Sequence, residues 1–289
     1  MRVAVIPAAG KGVRFHELGK NYAKTLLPYD GVPILKQIID RLLPDFDEIR
    51  VVLGPNPEQL AGFIDNLSNE KVKKFYVPLD GVQGPARSFM FAVTGQEDLV
   101  FLHLSDTLFE CEFPEFSSDW VSVMDVANPS RWCMIDHTSH LMDKPMSCPK
   151  EYRAITGAYC FSNPSRLRAV FEDVFSKKND DEFQLSEIFE QYNVDYPFRL
   201  EEHSADDLLD FGTIDEFYKN NKSHRSRYFN TISYSKDRVK KSSPTKPNKI
   251  MAEAFWISKA PSAFQHYLPK IFEISYIDAS YEMERLHSI

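Results

Sequence analysis

An apolar run at the start of the chain opens into a loop of small residues, and this feature restricts the fold most. Residues Val3 to Ile6 are apolar, and the tract Pro7-Ala8-Ala9-Gly10-Lys11-Gly12 follows them directly. A short apolar run followed by small residues and glycine predicts a buried strand that ends in a tight loop. Small residues let the backbone approach a ligand closely, and exposed backbone N–H groups in such a loop bind an anion. We therefore expect a sheet whose first strand carries an anion-binding loop at its carboxyl end.

Two cations follow this loop. Arg14 lies two residues after the second glycine, and Lys24 begins the tract Lys24-Thr25-Leu26-Leu27-Pro28. Together with the loop they predict a site for the triphosphate of a nucleotide, although a tight turn with solvated cations is the plainer alternative. A Walker loop would need a Gly-Lys-Ser/Thr triplet, and the dinucleotide fingerprint would need a third glycine where Phe15 stands. Both commoner glycine motifs are therefore excluded.

The composition argues against several classes of protein. The chain has 289 residues, enough for one large domain or for one domain and a smaller piece. Its net charge of −8 argues against a nucleic-acid partner, because phosphate backbones require clustered cations. No apolar stretch is long enough for a membrane span, and the start lacks a secretory apolar region. The four cysteines form no Cys-x-x-Cys pair, so we expect reduced thiols and a cytoplasmic protein.

The first half of the chain alternates strand-like and helix-like segments. Strands are predicted at 49–53, 74–77 and 99–104, and helices at 33–42, 57–67 and 85–93. This alternation predicts an α/β fold with a Rossmann-like, mostly parallel sheet flanked by helices. The following strand-like segments have few helices between them, so they predict an antiparallel extension of that sheet: 120–126, 131–137 and 153–161.

Two aspartates directly follow apolar runs. Asp106 follows Leu102-His103-Leu104-Ser105, and Asp210 follows Leu208-Leu209. Ligands of open α/β sheets bind beyond the carboxyl ends of the strands, where such aspartates lie. Carboxylate oxygens are ligands that Mg²⁺ prefers, together with triphosphate oxygens and water. We therefore predict a Mg²⁺ site with Asp106 and Asp210, against the alternative that each aspartate caps the next turn or helix.

The order of these motifs resembles the sugar-phosphate nucleotidyltransferase family. The resemblance rests on Ala-Ala-Gly-x-Gly-x-x-Arg-Phe, on Lys-x-Leu-Leu after it and on the later aspartates, and it covers residues 1–222. It implies the nucleotide-diphospho-sugar transferase fold. It also implies transfer of a nucleoside monophosphate from a nucleoside triphosphate to a sugar 1-phosphate, or a similar phosphate ester, with release of pyrophosphate. In this reading Arg14 and Lys24 are catalytic, and Asp106 and Asp210 hold Mg²⁺.

The resemblance further implies which residues contact the two substrates. The nucleotide would be held by the loop after the first strand, by a Gln-Gly turn before a helix and by the residue before Asp106: Ala8, Ala9, Gly10, Gly12, Gln83, Gly84 and Ser105. The acceptor would be held by a lysine in Asp-Lys-Pro, by a Gly-x-Tyr-x-Phe strand and by a glutamate: Lys144, Gly157, Tyr159 and Glu182. Plainer readings stay open, with Lys144 as a solvated charge, Tyr159 as a core residue and Glu182 in the first turn of a helix.

The pattern changes after Arg227, so we predict two domains, residues 1–224 and a small α+β extension at residues 225–289. The order Val-x-Lys-x-Ser, Lys-Ile-x-x-Glu-x-x-Trp, Pro-x-x-Phe and Tyr-x-Met-Glu resembles the amino-terminal lobe of choline-kinase and aminoglycoside-phosphotransferase proteins. Lys241 and Glu253 would be the phosphate-binding lysine of that lobe and its helix partner. No His-x-Asp loop or Asp-Phe-Gly-like element follows in this sequence, so no kinase activity is expected from it alone. The extension is then part of a kinase-like domain whose remainder is missing here, a remnant used for packing, or an ordinary appendage.

The sequence leaves the base and the acceptor open. The first hypothesis is a Mg²⁺-dependent nucleotidyltransferase that makes activated sugars for surface or capsule polysaccharides. A cytidylyltransferase acting on phosphocholine or another alcohol phosphate is the first alternative, which the kinase-like extension favours. A non-catalytic, nucleotide-binding scaffold is the second. The expected partners are a nucleoside triphosphate and a phosphorylated small molecule, without nucleic acid or membrane, and a homo-oligomer stays an open alternative.

Overall fold

The computed structural model describes residues 1–10, 23–54, 57–78, 84–177, 183–220, 230–235 and 237–285. Within these ranges the contacts divide the chain into two compact units. The first unit comprises described residues among 1–10, 23–27 and 32–210, and the second comprises those among 28–31 and 211–285. The domain boundary predicted at residue 224 lies outside the described residues.

The described strands follow one another in this order: β1 (Arg2–Ala8), β2 (Pro28–Tyr29), β3 (Val32–Pro33), β4 (Glu48–Leu53), β5 (Val72–Tyr76), β6 (Leu99–His103), β7 (Thr107–Phe109), β8 (Trp120–Met124), β9 (Cys133–Ile135), β10 (Leu141–Asp143), β11 (Arg153–Phe161), β12 (Arg199–Glu202), β13 (Leu208–Asp210), β14 (Thr231–Tyr234), β15 (Arg238–Ser242), β16 (Ile271–Ser275) and β17 (Ser280–Glu284). The described α-helices are α1 (Ile34–Leu42), α2 (Glu58–Leu67), α3 (Pro85–Phe91), α4 (Pro164–Ser176), α5 (Leu185–Asp195), α6 (Ile214–Asn220), α7 (Pro247–Lys259) and α8 (Ser262–Gln265). No helix among the described residues combines the length and the apolar character needed to span a membrane.

Parallel strands form the centre of a nine-stranded sheet in the first unit. β1 lies between β4 and β6, and β5 pairs with the other edge of β4, all in parallel. Residues Val3 to Ile6 are fully buried in β1, which confirms the strand predicted there. Because Ala8 stands opposite Leu53 and Val5 opposite Leu102, the carboxyl ends of β1, β4 and β6 lie at one edge of the sheet.

Antiparallel strands extend this sheet on one side, as the sequence predicts. β11 pairs in antiparallel with β6, β8 and β9, and β9 pairs in antiparallel with β10. β12 adds a strand parallel to β8, which the periodicity of the sequence does not predict. The nine-stranded sheet is therefore a parallel centre with an antiparallel extension.

Local signals in the sequence explain where the flanking helices begin. α1 presents one apolar face, with Ile34, Ile38 and Leu42 buried at helical spacing. Asn163 caps α4, since its Oδ1 accepts a hydrogen bond from the Arg166 backbone N–H at 3.0 Å, and Pro164 occupies the first helical position. The strands and helices pack around an apolar cluster rich in phenylalanine.

A four-stranded antiparallel sheet in the order β14-β15-β17-β16 forms the centre of the second unit. Helix α7 packs on this sheet, where Ile250 and Ala254 are buried against Tyr281 of β17. Lys241 of β15 donates hydrogen bonds to both carboxylate oxygens of Glu253 in α7, each at 2.6 Å. The structure thus pairs the two residues that the resemblance to a kinase lobe singles out, while the identity of this unit stays a prediction.

Candidate active site

The loop predicted to bind an anion begins at the carboxyl end of β1. Ala8 ends the strand and is 8% exposed, Ala9 is half-buried, and Gly10 is exposed. A Cβ at Gly10 would meet nothing within 4 Å, so open space lies beside this backbone. Gly12 and Arg14, which are expected to continue the site, lie outside the described residues.

A glycine that the sequence analysis did not single out fixes the start of this loop. Gly54 follows β4, and a Cβ on it would lie 2.8 Å from the Cα of Ala9 and against the carbonyl oxygen of Ala9. Real side chains do not occupy such a distance, so only glycine lets the two backbones pass here. The signal was present in the sequence as a glycine directly after an apolar strand, in the place that Ala9-Gly10 takes after β1.

The predicted catalytic lysine contacts the first predicted metal-binding aspartate. Lys24 begins a short 3₁₀ helix, and Asp106 follows β6. Lys24 Nζ lies 2.6 Å from Asp106 Oδ2, and the two side chains are 20% and 25% exposed. The backbone N–H of Ala23 donates to Gln59 Oε1 at 2.9 Å, which positions the residue before Lys24.

The second predicted metal-binding aspartate, Asp210, lies in a strand that pairs with the strand following Asp106. β13 pairs with β7 in antiparallel, and Asp210 stands opposite Thr107. Asp210 therefore stands opposite the residue that directly follows Asp106, although the two aspartates are far apart in the sequence. Arg131, which the sequence analysis did not select, lies with its Nη2 3.2 Å from Asp210 Oδ2.

The donor set of Asp106 and Asp210 fits Mg²⁺. Both groups offer hard carboxylate oxygens, and both already stand next to a cation, Lys24 and Arg131 respectively. Among the described residues no group of three or more His, Cys, Asp and Glu side chains could hold a metal ion. Two carboxylates that share an ion with phosphate oxygens and water match the way Mg²⁺ binds with nucleotide substrates.

The turn that carries Asp106 is held by its neighbours. The backbone N–H of Leu104 donates to the carbonyl of Gly157 at 2.8 Å. The carbonyl of Leu104 accepts from His103 Nδ1 at 2.7 Å and from Thr107 Oγ1 at 3.3 Å. Burial lowers the pKa of His103 to about 4, so its imidazole is neutral at neutral pH and its Nδ1 carries the proton that it donates. Ser105, predicted to contact the nucleotide, is 9% exposed within this turn.

Two residues predicted to bind the acceptor, Gly157 and Tyr159, are constrained by the packing of the fold. Gly157 adopts a φ of +110°, and a Cβ on it would lie 3.1 Å from the Leu104 side chain, so this glycine is required by backbone conformation and packing. Tyr159 is 5% exposed, and its ring lies 4.4 Å from that of Phe189 in the core. Burial raises the pKa of Tyr159 well above its ordinary value. The structure therefore favours the core reading of Tyr159 that the sequence left open.

Of the other residues predicted to bind a substrate, the structure describes two, Gly84 and Lys144. Gly84 caps α3 with a φ of +133° and precedes Pro85 at the first helical position. Lys144 is exposed after β10, with its Nζ 3.4 Å from Asp143. Gln83 and Glu182 lie outside the described residues. The structure thus brings Lys24 and Asp106 into contact and sets Asp210 opposite Thr107, and the roles of these residues, of Gly84 and of Lys144 stay predictions.

Comparison with known proteins shows which families part of this chain is similar to. Residues 4–113 match the family model of the MobA-like NTP transferase domain. The bifunctional protein GlmU of Methanocaldococcus jannaschii is 27% identical over 165 residues. That match covers 55% of this chain and 39% of the relative, so the chain matches about two fifths of the relative's length.

Two solved structures share the fold. A candidate glucose-1-phosphate thymidylyltransferase from Bacillus anthracis, in complex with a sucrose, has a TM-score of 0.65 at 21% identity, covering 79% of this chain and 97% of that chain. A CTP:phosphocholine cytidylyltransferase from Streptococcus pneumoniae has a TM-score of 0.64 at 13% identity, covering 76% and 97%. At these identities the likeness concerns the fold, and it confirms the fold class predicted from the sequence. The family match and the curated relative confirm the resemblance as well: residues 4–113 match an NTP transferase domain, and the chain is similar to GlmU over 165 residues.

Proposed function

We propose that this protein transfers a nucleoside monophosphate from a nucleoside triphosphate to a sugar 1-phosphate and releases pyrophosphate. The observation that carries the proposal is the contact of Lys24 with Asp106 after β6, with Asp210 opposite the next residue, Thr107. The carboxyl ends of parallel strands such as β6 are where α/β sheets bind their ligands. The NTP transferase match over residues 4–113 supports the reaction class.

The chemistry is an in-line displacement at the α-phosphate. The phosphate oxygen of the acceptor is already anionic, so no general base is needed, and catalysis consists of positioning and charge neutralisation. Backbone N–H groups of Ala9, Gly10 and Gly12, with Arg14, would hold the β- and γ-phosphates that leave. Lys24 would neutralise the charge that develops on the α-phosphate, and Lys144 would hold the acceptor phosphate.

Asp106 and Asp210 are the residues that would hold Mg²⁺. When bound, the ion would neutralise phosphate charge that the protein cations alone leave uncompensated. In the structure Lys24 pairs with Asp106 and Arg131 pairs with Asp210. These cations offset the cost of holding two negative charges in a partly buried site. Gln83, Gly84 and Ser105 remain our proposal for the base side of the nucleotide, and Glu182 for the acceptor hydroxyls.

A sugar 1-phosphate is the acceptor class that the similarity to GlmU supports over an alcohol phosphate. The likeness to a phosphocholine cytidylyltransferase concerns the fold and does not favour that acceptor. A role in activated-sugar synthesis for surface or capsule polysaccharides, in the cytoplasm, is part of the proposal. For residues 225–289 the Lys241–Glu253 pair supports a kinase-lobe origin, with the remainder of such a domain and a homo-oligomer as further proposals.

The test is a matrix of substrates scored by pyrophosphate release from the purified chain. ATP, CTP, GTP, UTP and dTTP are each combined with hexose 1-phosphates, N-acetylhexosamine 1-phosphates and phosphocholine, with Mg²⁺ and with EDTA. We expect release with at least one sugar 1-phosphate and its loss in EDTA. Release only with phosphocholine would replace the sugar by an alcohol phosphate. Nucleotide binding without release in any combination would instead support a scaffold.

A further inference from the structure

Arg131 is held firmly at the entrance to a short hairpin. It ends the 3₁₀ helix Pro129–Arg131, which Asn128 caps by accepting from the backbone N–H of Ser130 at 3.1 Å. The backbone N–H of Trp132 donates to the carbonyl of Pro129 at 3.0 Å. The backbone position of Arg131 is therefore defined on both sides, and the direction of its side chain follows from the fold.

The same hairpin end carries a second cation. β9 and β10 pair with Cys133 opposite Asp143, and the backbone N–H of Lys144 donates to the carbonyl of Trp132 at 2.9 Å. Arg131 and Lys144 therefore leave the hairpin at its open end, on neighbouring strands. Each of the two cations stands next to one aspartate, Asp210 and Asp143 respectively, and a phosphate bound at this end of the hairpin would be attracted by both cations.

The Arg131 side chain connects this hairpin end to the metal-binding edge of the sheet. Its guanidinium lies 3.2 Å from Asp210, a residue 79 positions away, and the two side chains are 45% and 20% exposed. Asp210 also stands opposite Thr107, the residue that follows Asp106, in the β7–β13 pair. A guanidinium and a divalent cation would use the same carboxylate oxygens, so the two compete for Asp210.

We propose that Arg131 is a second cation for the phosphate of the acceptor, held on Asp210 until a divalent metal takes that carboxylate. This inference rests on the proposed function. The planar guanidinium matches a phosphate with two parallel hydrogen bonds, which the point charge of Lys144 does not offer. A phosphate bound by the released Arg131 would offset the repulsion between this guanidinium and a metal held by Asp210.

The first experiment measures metal binding without turnover. Mn²⁺ is titrated into the full chain and the unbound ion is measured by electron paramagnetic resonance. Arg131→Gln removes the competitor for Asp210 and is expected to tighten Mn²⁺ binding about two- to fivefold, the range of a partly exposed ion pair. Asp210→Asn is expected to weaken it. Arg166→Gln is the matched control, because Arg166 also pairs with one aspartate, Asp195 at 2.6 Å, on a helix of the same unit.

The second experiment separates the two substrates in steady-state kinetics with the best pair from the substrate matrix. Arg131→Gln is expected to raise the KM of the acceptor about tenfold or more, because a hydrogen bond to a charged group is lost, and to leave the KM of the triphosphate unchanged. Arg131→Lys keeps the positive charge but not the two parallel hydrogen bonds of the guanidinium. Its acceptor KM is expected to lie between those of the unmodified protein and Arg131→Gln. Arg166→Gln is expected to behave as the unmodified protein in both assays.

The outcomes distinguish this inference from the function on which it rests. An active protein whose Arg131→Gln variant keeps both its Mn²⁺ affinity and its acceptor KM overturns the role of Arg131 alone. An equal rise in the KM of both substrates also overturns it, because a general structural effect would then explain the loss. A protein that neither binds Mn²⁺ nor releases pyrophosphate with any substrate pair overturns the proposed function and this inference together.

Discussion

Lys24 Nζ lies 2.6 Å from Asp106 Oδ2, so the residue proposed to stabilise the α-phosphate and a residue proposed to hold the metal neutralise each other in the structure. Both side chains are mostly shielded from water, at 20% and 25% exposed. In such surroundings a charge left without its partner is costly, and the arrival of metal and triphosphate would supply new partners to both groups at once. The pair thus keeps both charges neutralised until a metal ion and a triphosphate bind.

The Lys24–Asp106 pair yields the first prediction. Lys24→Ala and Asp106→Asn should each lower turnover by about two to three orders of magnitude, the cost of losing a charge-stabilising group in an active site. The double variant should lose less than the sum of the two free-energy effects, because the groups act together. Pyrophosphate release under saturating substrates is the measurement, and circular dichroism checks that each variant is folded.

Asp65→Asn is the control for that comparison. Asp65 pairs with Lys74 at 2.5 Å, but this pair lies between α2 and β5, where no predicted site residue is found among the described ones. Its loss should leave turnover unchanged. Near-normal turnover of either Lys24→Ala or Asp106→Asn would show that the assignment of that residue is wrong.

Gly54→Ala tests the close approach of β4 to the loop. The new methyl group would lie 2.8 Å from the Cα of Ala9, so the loop has to move. We expect a loss of stability of about 1–3 kcal/mol and a raised KM for the triphosphate, measured by urea unfolding and steady-state kinetics. Gly62→Ala is the matched control, because a Cβ on this glycine of α2 meets nothing within 4 Å. That change should be neutral or stabilising by up to about 1 kcal/mol. Equal behaviour of the two variants would contradict the steric argument.

Because His103 is buried, we predict that the stability of the folded chain depends on pH. Burial lowers its pKa to about 4 in the folded chain, whereas an imidazole in the unfolded chain titrates near pH 6.5. Between these values the unfolded chain binds a proton that the folded chain does not, so this residue makes stability fall as the pH falls from about 6.5 to about 4. The slope contributed is up to about 1.4 kcal/mol per pH unit. Urea unfolding across this range measures it.

His103→Phe should flatten that slope, at some cost in stability at neutral pH because the hydrogen bond to the Leu104 carbonyl is lost. The exposed His137 provides the comparison, since His137→Gln should leave the slope as it was. If His103→Phe and the unmodified chain lose stability in parallel below pH 6.5, other groups are responsible for the acid sensitivity.

Glu253→Gln tests the second unit. Lys241 is 14% exposed and Glu253 is 41% exposed, so their pair is partly shielded from water, and its loss should cost about 1 kcal/mol. Hydrogen exchange of residues 238–284 should become faster, while pyrophosphate release should be unchanged. Glu273→Gln, at an exposed position of β16, should alter neither. A fall in pyrophosphate release would show that the extension contributes to the nucleotidyl transfer.

Local patterns explain why so much of the fold could be predicted. Apolar runs with the period of a strand or a helix depend on neighbouring residues alone, so β1, β11 and α1 appear within one or two residues of their predicted bounds. The family match confirms the nucleotidyltransferase resemblance drawn from the loop and the aspartates. The short strand β13 was not predicted, because Leu208-Leu209-Asp210 is stabilised as a strand by pairing with the distant β7 rather than by its own pattern.

The sequence by itself determined the chemistry available to this protein: an anion-binding loop after the first strand, cations near it and carboxylates at strand ends. Only the tertiary structure decided which of these groups meet. Lys24 contacts Asp106 and Arg131 contacts Asp210 over long separations in the chain, and the pairing of β13 with β7 sets Asp210 opposite Thr107, because the fold rather than the local sequence brings distant segments together. Likewise, only the tertiary structure shows that Tyr159 lies in the core and that a side chain at Gly54 would clash with Ala9. Burial and close backbone approach depend on residues that are distant in the sequence, so a local pattern does not predict them.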